Sequence, residues 1–392
     1  MTRSYPSADV RGKSMEDAEL LTDIERRGVE DEPLDEDVAF DHPFDPSKIR
    51  VTTEPRTIDL LVKRIDRGEI DLAPEFQRRA RLWKLFKKSQ LIESLLLRIP
   101  LPVFYVAADV DDFWSVVDGL QRLTTIHDFI KDAFRLSGLE YLHQLEGDSF
   151  SSLPRQMQRR IEETTLVLNI IQPGTPPEVM INIFKRLNTG GLPLTGQEIR
   201  NALHKGPIRG FLYRLAFSSG FERATDGRVS DERMDAQECV LRFLAFYTGG
   251  WRHYDKNDLD AYLNDAMSRL NTAGEDALRR LEHEFSETME AAYGIFGRDA
   301  FRKRYEPNTA RKPVSKALFE AWSVNLANRT KLERAVLVDH SADVRHRFIL
   351  LMVTDRFFDV SISSSTGTPQ RVYKRFKAIE QLIEAVLLEA MQ

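Results

Sequence analysis

The hydrophobic period of the chain changes within residues 113–134, FWSVVDGLQRLTTIHDFIKDAF. An apolar run rich in β-branched residues, typical of a strand, ends at Asp118 and Gly119, and apolar residues then recur every three or four positions. This pattern predicts a strand, a tight glycine turn and a helix. The first turn of such a helix favours an anion, because its N–H groups are unpaired and the helix dipole is positive there. Arg122 adds planar donors that fit a phosphate.

The same residues also fit a purely structural interpretation. Asp118 can cap the helix, Gly119 can adopt a left-handed turn, and Arg122 can pair with a nearby carboxylate. Taken alone, the turn favours this interpretation over a phosphate site.

Composition places the chain among ordinary proteins of two or three domains, with 392 residues, 42% hydrophobic and 30% charged. No apolar run approaches the roughly 20 residues of a membrane span, and the N-terminus lacks a signal-peptide pattern. We therefore expect a cytoplasmic protein without a membrane partner. The single cysteine, Cys239, excludes an intramolecular disulfide and a thiolate zinc cluster, and its apolar neighbours predict a core residue.

Charge is distributed unevenly along the chain. Residues 1–47 contain 14 Asp and Glu but five Lys and Arg, so they carry −9, and because the net charge is −5 the remainder carries +4. This composition predicts that residues 1–49 form an acidic segment that is mobile or packs loosely. The mildly basic remainder permits a nucleotide or nucleic-acid ligand without requiring one.

Patterning divides the rest of the chain into two parts, which gives an α+β fold class. Residues 50–205 alternate between strand and helix patterns and predict a mixed α/β domain. Strands are expected at residues 103–107, 113–117, 134–136 and 164–171, and helices at 57–68, 84–97, 138–145, 153–163, 176–187 and 196–205. Residues 206–392 show helical periodicity and predict an all-α bundle. Its helices are expected at 207–218, 234–248, 256–270, 275–296, 312–328, 341–359 and 369–390, with flexible loops at 218–229 and 361–368.

Three polar clusters at the ends of predicted elements combine arginine with an amide. They are QRR at residues 77–79, DGLQR at residues 118–122 and KRLNTGG at residues 185–191. Arginine binds phosphate oxygens bidentately, and a glutamine or asparagine can orient a water molecule. We expect the three clusters to converge on one anionic ligand.

These clusters and their neighbours resemble a known family. PEFQRR followed by a tryptophan, LIESLLLRIPLPVFYV, VVDGLQRLTTIHDF and IFKRLNTGGLPLTGQEIRNA occur in that order over about residues 50–205. In this region the chain resembles the GmrSD-type restriction enzyme N-terminal domain family, whose hallmark is DGQQR. The resemblance implies a ParB- and sulfiredoxin-like fold, and a domain that binds and hydrolyses nucleoside triphosphates in a defence system against foreign DNA.

Transferred by position, the resemblance implies a set of nucleotide-binding residues. They are Gln77, Arg78, Asp118, Gly119, Gln121, Arg122, Arg186 and Asn188. Within this set, Asp118, Gln121 and Arg122 are the candidate catalytic residues: Gln121 would place a water, and Asp118 would order Mg²⁺ or the turn. Leu120 stands where the family usually has glutamine. If that side chain touches nucleotide, binding or hydrolysis changes; if it faces the core, the replacement is harmless.

Two further features bear on partners. Many relatives carry a C-terminal HNH nuclease domain, but the eight histidines here are scattered, so a separate nuclease subunit is a candidate partner. His127 follows the hallmark, and we expect it to be structural.

Residues 298–316 interleave basic and aromatic residues, a pattern typical of nucleic-acid contact or of a solvated face. The candidate contacts are Arg302, Lys303, Arg304, Arg311 and Lys312.

The leading hypothesis is a nucleotide-binding, NTP-hydrolysing component of an antiphage or restriction-type system. The alternatives are a non-catalytic ParB-like DNA-binding module switched by nucleotide, and a DNA-nicking endonuclease. The sequence leaves the choice of nucleotide, the recognised DNA and the oligomeric state open.

Overall fold

The computed structural model describes residues 28–30, 50–72, 83–175, 179–180, 183, 195–204, 206–255, 257–307 and 310–390. Within these residues a five-stranded mixed sheet with helices is followed by a helical region. The predicted α+β class, with its α/β part before its helical part, is confirmed.

The N-terminal part forms a sheet in the order β1-β5-β3-β4-β2. Its elements are β1 (Val51–Thr57), α1 (Ile58–Asp66), β2 (Ile70–Asp71), α2 (Leu85–Leu96), β3 (Phe104–Ala108), β4 (Trp114–Asp118), α3 (Leu120–Ile130), α4 (Arg155–Glu162) and β5 (Thr165–Ile171). Strands β1 and β5 pair antiparallel, as do β3 and β4, while β5 runs parallel to β3 and β2 runs parallel to β4. Because β2 and β4 are parallel, the chain leaves both strands at the same end of the sheet.

Each face of the sheet is covered by a different core. Phe104, Val106 and Leu168 face the larger core, which the helices from α1 to α4 complete. On the opposite face, Val117 and Ile171 pack against Ile199. Strand β5 alternates between buried and more exposed residues. One face of β5 is therefore buried and the other is partly exposed. The prediction of a buried strand at residues 164–171 is wrong for the second face.

The helices of the second half pack around one extended core, except that the first of them places Ile199 in the small core on the sheet. The helices are α5 (Gly196–Leu203), α6 (Pro207–Ala216), α7 (Ser219–Thr225), α8 (Asp235–Gly249), α9 (Leu259–Asn271), α10 (Glu275–Phe296), α11 (Lys316–Ala327), α12 (Lys331–Asp339), α13 (Ser341–Thr354), α14 (Arg356–Ser361) and α15 (Pro369–Ala390). Cys239 is fully buried in this core, as predicted, and burial raises the pKa of its thiol. The described helices include none with the length and apolar character needed to cross a membrane.

Several predicted elements differ in the structure. Residues 134–136 form a loop and not a strand, and the helix predicted at 138–145 is reduced to one 3₁₀ turn, His143–Leu145. The loop predicted at 218–229 contains α7, because Ser218 caps that helix and Phe221 is buried beneath it. The helix predicted at 341–359 is interrupted at Asp355, whose side chain caps α14.

Part of the acidic N-terminal segment packs tightly on the helical region, contrary to the loose packing predicted for residues 1–49. Val29 is fully buried. The N–H of Glu30 donates to the carbonyl of Val314 at 2.9 Å, and the N–H of Val314 donates to the carbonyl of Gly28 at 2.9 Å. The carboxylate of Glu30 also lies 2.9 Å from Nζ of Lys303.

Candidate functional site

The DGLQR sequence forms the predicted turn between β4 and α3. Gly119 has a φ of +96°, and a Cβ at this position would lie 2.3 Å from Cδ1 of Phe104. Both the backbone conformation and the available space therefore require glycine. Helix α3 begins at Leu120, and no side chain caps its N-terminus. Within the part of the chain that the structure describes, the N–H groups of its first turn are thus left for solvent or for an anionic ligand.

Much of the Arg122 guanidinium is already bonded within the protein. Its Nη2 donates to Oδ2 of Asp118 at 2.9 Å and to the carbonyl of Val103 at 3.3 Å, while Nη1 donates to the carbonyl of Pro102. Its Cζ lies 4.3 Å from the centre of the Phe104 ring. Burial lowers the pKa of Arg122, and Asp118 acts in the opposite direction. Arg122 therefore fixes the turn, and any phosphate contact is left to the donors that these bonds do not use.

Phe104 was not among the predicted site residues. It supports both Gly119 and Arg122, but its sequence context indicated only a strand residue. The two residues before it supply the carbonyls that Arg122 binds, and the neighbouring prolines were the one sequence signal of a fixed backbone there.

Leu120, the departure from the hallmark, begins α3. Its side chain is half-buried and packs against the larger core. Whether a glutamine at this position would touch nucleotide stays an open prediction.

The tryptophan that follows the first cluster, Trp83, lies against the DGLQR turn. Gln77 and Arg78 are outside the described residues, but Trp83, the tryptophan of that motif, is described. Its backbone N–H donates to Oε1 of Gln121 at 3.4 Å, and Nζ of Lys87 lies 4.8 Å from the centre of its ring. The hydrogen bond places Trp83, which follows the first cluster in the sequence, next to the second cluster; the position of residues 77–79 lies outside the described residues.

The third cluster, with Arg186 and Asn188, is also outside the described residues. Before it, Ile183 packs against the small core that contains Val117, the residue preceding Asp118. After it, the predicted capping box is confirmed: the Thr195 hydroxyl accepts from the Glu198 N–H, and the Glu198 carboxylate accepts from the Thr195 N–H. A single pocket formed by all eight predicted nucleotide-binding residues stays a prediction.

His127 has a structural partner, as expected. Its Nε2 lies 3.1 Å from Oδ1 of Asp66, and Lys131 binds the other carboxylate oxygen at 2.7 Å. The hydrogen bonds from Lys131 and His127 lower the pKa of Asp66. This ion cluster joins α3 to α1.

The donor set at the turn fits a magnesium ion that arrives with phosphates. Over the described ranges, no group of three or more His, Cys, Asp or Glu could hold a metal ion. Asp118 presents a carboxylate that is 36% exposed and has one oxygen on Arg122. Magnesium often takes one or two protein carboxylates and completes its shell with phosphate and water, so Asp118 can serve as one such ligand.

The basic stretch at residues 298–316 is largely built into the helical region. Arg302 is 4% exposed and donates to three backbone carbonyls. Lys303 is buried against Ser363, and Arg304 pairs with an aspartate. Arg311 lies 2.6 Å from Asp226, and Lys312 stays exposed. Of the five candidate contacts, Arg311 and Lys312 are thus the ones left for nucleic acid, because the inner cations satisfy loop carbonyls and carboxylates; Arg298 of the same stretch is also exposed, at 69%.

Comparison with known families gives one match. Residues 58–205 match the family described as GmrSD restriction endonuclease, N-terminal domain. The match runs from the start of α1 to just beyond α5 and includes the DGLQR turn. The family resemblance is therefore confirmed for this region. No curated protein matches the chain.

Proposed function

With residues 58–205 assigned to the GmrSD restriction endonuclease N-terminal domain family, we propose that this protein is a nucleoside-triphosphate-binding component of a restriction-type defence system. In this proposal it senses or acts on foreign DNA. The observation that carries the nucleotide proposal is the uncapped N-terminus of α3, which directly follows the left-handed Gly119 at the end of β4.

The phosphates would bind the free N–H groups at the start of α3, where Gly119 allows a close approach. Arg122 holds the turn and orients Asp118 through its 2.9 Å hydrogen bond. The predicted ligands Gln77, Arg78, Arg186 and Asn188 would complete the pocket. Magnesium, when bound to the phosphates, would neutralise developing charge, with Asp118 as its protein ligand.

Hydrolysis would depend on Gln121. The hydrogen bond from the Trp83 N–H to its Oε1 is 3.4 Å long, so the side chain can turn toward a water at little cost. In this role Gln121 orients the attacking water, while the helix terminus stabilises the phosphate charge.

The test is chromatography of the purified chain incubated with each nucleoside triphosphate and Mg²⁺. We expect product with the wild type, and bound nucleotide with little product for Gln121→Ala. His127→Gln, on the outer part of the same helix, is the matched control and should keep wild-type turnover. The proposal fails if no triphosphate binds, or if Gln121→Ala and Asp118→Asn leave both binding and turnover unchanged.

A second candidate is a nucleotide-operated switch without turnover. The observation that favours it is the extent to which Arg122 is bonded to Asp118 and to two backbone carbonyls, because a guanidinium fixed in this way has fewer donors for a transition state. Nucleotide that is retained without product release distinguishes the switch from the hydrolase.

A further inference from the structure

A cleft of about 390 Å³ opens in the helical region. It lies where the C-terminal ends of α8 and α11 approach the side of α15, and its wall includes Tyr247, Arg252, Asn328, Arg329 and Glu384. Its volume falls within the range of sites that bind small ligands. The predicted nucleotide-binding residues that the structure describes, Asp118, Gly119, Gln121 and Arg122, do not line it.

Two arginines belong to this wall, each just after the end of a helix. Arg252 follows the end of α8, lies 4.1 Å above the ring of Trp251 and pairs with Glu380. Arg329 follows the end of α11, and its Nη2 lies 3.5 Å from Glu384. Because the C-terminal end of a helix is negative, both helices stabilise a cation at these sites.

Most donors of these two guanidinium groups are unused. A guanidinium has five N–H donors, yet among the described residues Arg252 and Arg329 each donate a single side-chain hydrogen bond. Nε of Arg329 is buried and has no hydrogen-bond partner in the described part of the chain. By contrast, the buried Arg375 makes four hydrogen bonds, two of them to Glu320. Arg329, whose side chain is 16% exposed, is therefore under-satisfied for a group in a protein wall, while the unused donors of Arg252, 54% exposed, face solvent at the mouth of the cleft and are open to a ligand.

The charge of the cleft also favours an anion. Glu380 is shared between Arg252 and Lys377, which is 2.8 Å away. The wall itself carries Arg252 and Arg329 against two glutamates, and Lys377, which does not line the cleft, offsets part of the negative charge of Glu380. Glu384 is 52% exposed and its contact with Arg329 is long, so it can move aside when a stronger acceptor enters.

We propose that this cleft binds a small molecule that carries a phosphate or carboxylate group. The oxyanion sits between Arg252 and Arg329 and replaces Glu384 as the partner of Arg329. The hydroxyl of Tyr247 and the side-chain amide of Asn328 have no hydrogen-bond partner among the described residues, and they contact the rest of the ligand. This site is separate in sequence and chemistry from the proposed triphosphate site.

Calorimetric titration of the full chain at low salt tests the proposal with three probes: inorganic phosphate, adenosine 5′-monophosphate and succinate. We expect at least one to bind, and Arg329→Met to weaken it about tenfold or more, because a charged hydrogen bond is lost. Glu384→Gln removes the internal competitor and should strengthen binding several-fold. Arg279→Met, an exposed arginine paired with Asp276 on α10, is the control and should bind like the wild type.

The outcomes separate this cleft from other sites. A phosphate-only or succinate-only response identifies the oxyanion, and tighter binding of the monophosphate shows that its ring is also contacted. If no probe binds, or if Glu384→Gln weakens binding as a purely structural carboxylate would, the proposal is overturned. It is also overturned if Arg329→Met binds normally while Gln121→Ala does not, because the probe would then occupy the DGLQR turn. Unfolding curves confirm that each variant is folded.

Discussion

Gly119 is constrained by its φ of +96° and by the Phe104 ring beneath it. Gly147 has a similar φ of +84°, but a Cβ at that position would have no atom within 4 Å, which makes it a matched control. We expect Gly147→Ala to lose about 1 kcal/mol of unfolding free energy from the left-handed backbone alone. Gly119→Ala should lose about 2–4 kcal/mol, because the ring must also move.

Urea unfolding of both variants measures this difference. Equal losses for the two glycines would show that Phe104 does not limit the turn. A larger loss of unfolding free energy at Gly119 would be caused by the contact with the Phe104 ring, because the backbone strain is common to both positions.

The residue scale also shows what the sequence could not reveal at the candidate site. The pattern around Gly119 predicted the strand, the turn and the helix, because hydrophobic period and glycine act locally. It left two roles open for Arg122. The structural role depends on the backbone carbonyls of Pro102 and Val103, which lie just before β3 and have no side-chain signature.

At the scale of elements, periodicity predicted most helices but missed those defined by caps and partners. Helix α12 begins with a capping box of Thr330 and Glu333. Helix α7 is capped by Ser218 and lies in a stretch whose glycines and polar residues indicated a loop. Strand β1 is largely exposed and pairs with β5, more than 100 residues away. Its own sequence therefore carries little of the information that makes it a strand.

His204 ends α5 and gives this element a pH-dependent stability. Burial lowers the pKa of His204, while its contact with Asn264 acts in the opposite direction. The imidazole of His204 therefore binds a proton less tightly in the folded state than in the unfolded state, where its pKa is about 6.5. Neutral His204 therefore leaves the free energy of unfolding at its full value above the unfolded-state pKa, and the free energy of unfolding decreases as the pH falls below that pKa.

We expect the unfolding free energy of the wild type to decrease between pH 7 and pH 5, and the decrease to be smaller in His204→Gln. His283→Gln, an exposed histidine on α10, is the control and should keep the wild-type slope. Denaturant titrations at several pH values give both slopes. An unchanged slope in His204→Gln would mean that this histidine protonates equally in both states.

Across the whole molecule, α5 packs on the sheet and on the helical core at once. Its Ile199 contacts the sheet next to Asp118, while Arg200 binds Asp260 of α9 at 2.6 Å and Asn201 binds Gln237 of α8 at 3.2 Å. The last helix of the family match is thus shared by both halves. Sequence periodicity shows that α5 is amphipathic, but it cannot show that its polar side is also buried, because buried and solvated polar faces look alike.

Val29 connects the start of the described chain to this helical core, and its contribution can be measured directly. It is fully buried beside Val314, whereas Val110 is 86% exposed in the β3–β4 turn. We expect Val29→Ala to reduce the unfolding free energy by about 2 kcal/mol through the cavity it leaves, and Val110→Ala to have no measurable effect. Hydrogen exchange adds a local readout, because the Val314 N–H donates to the Gly28 carbonyl and should exchange faster in Val29→Ala. If stability and exchange both match the wild type, the N-terminal contact is dispensable and the helical core closes without it.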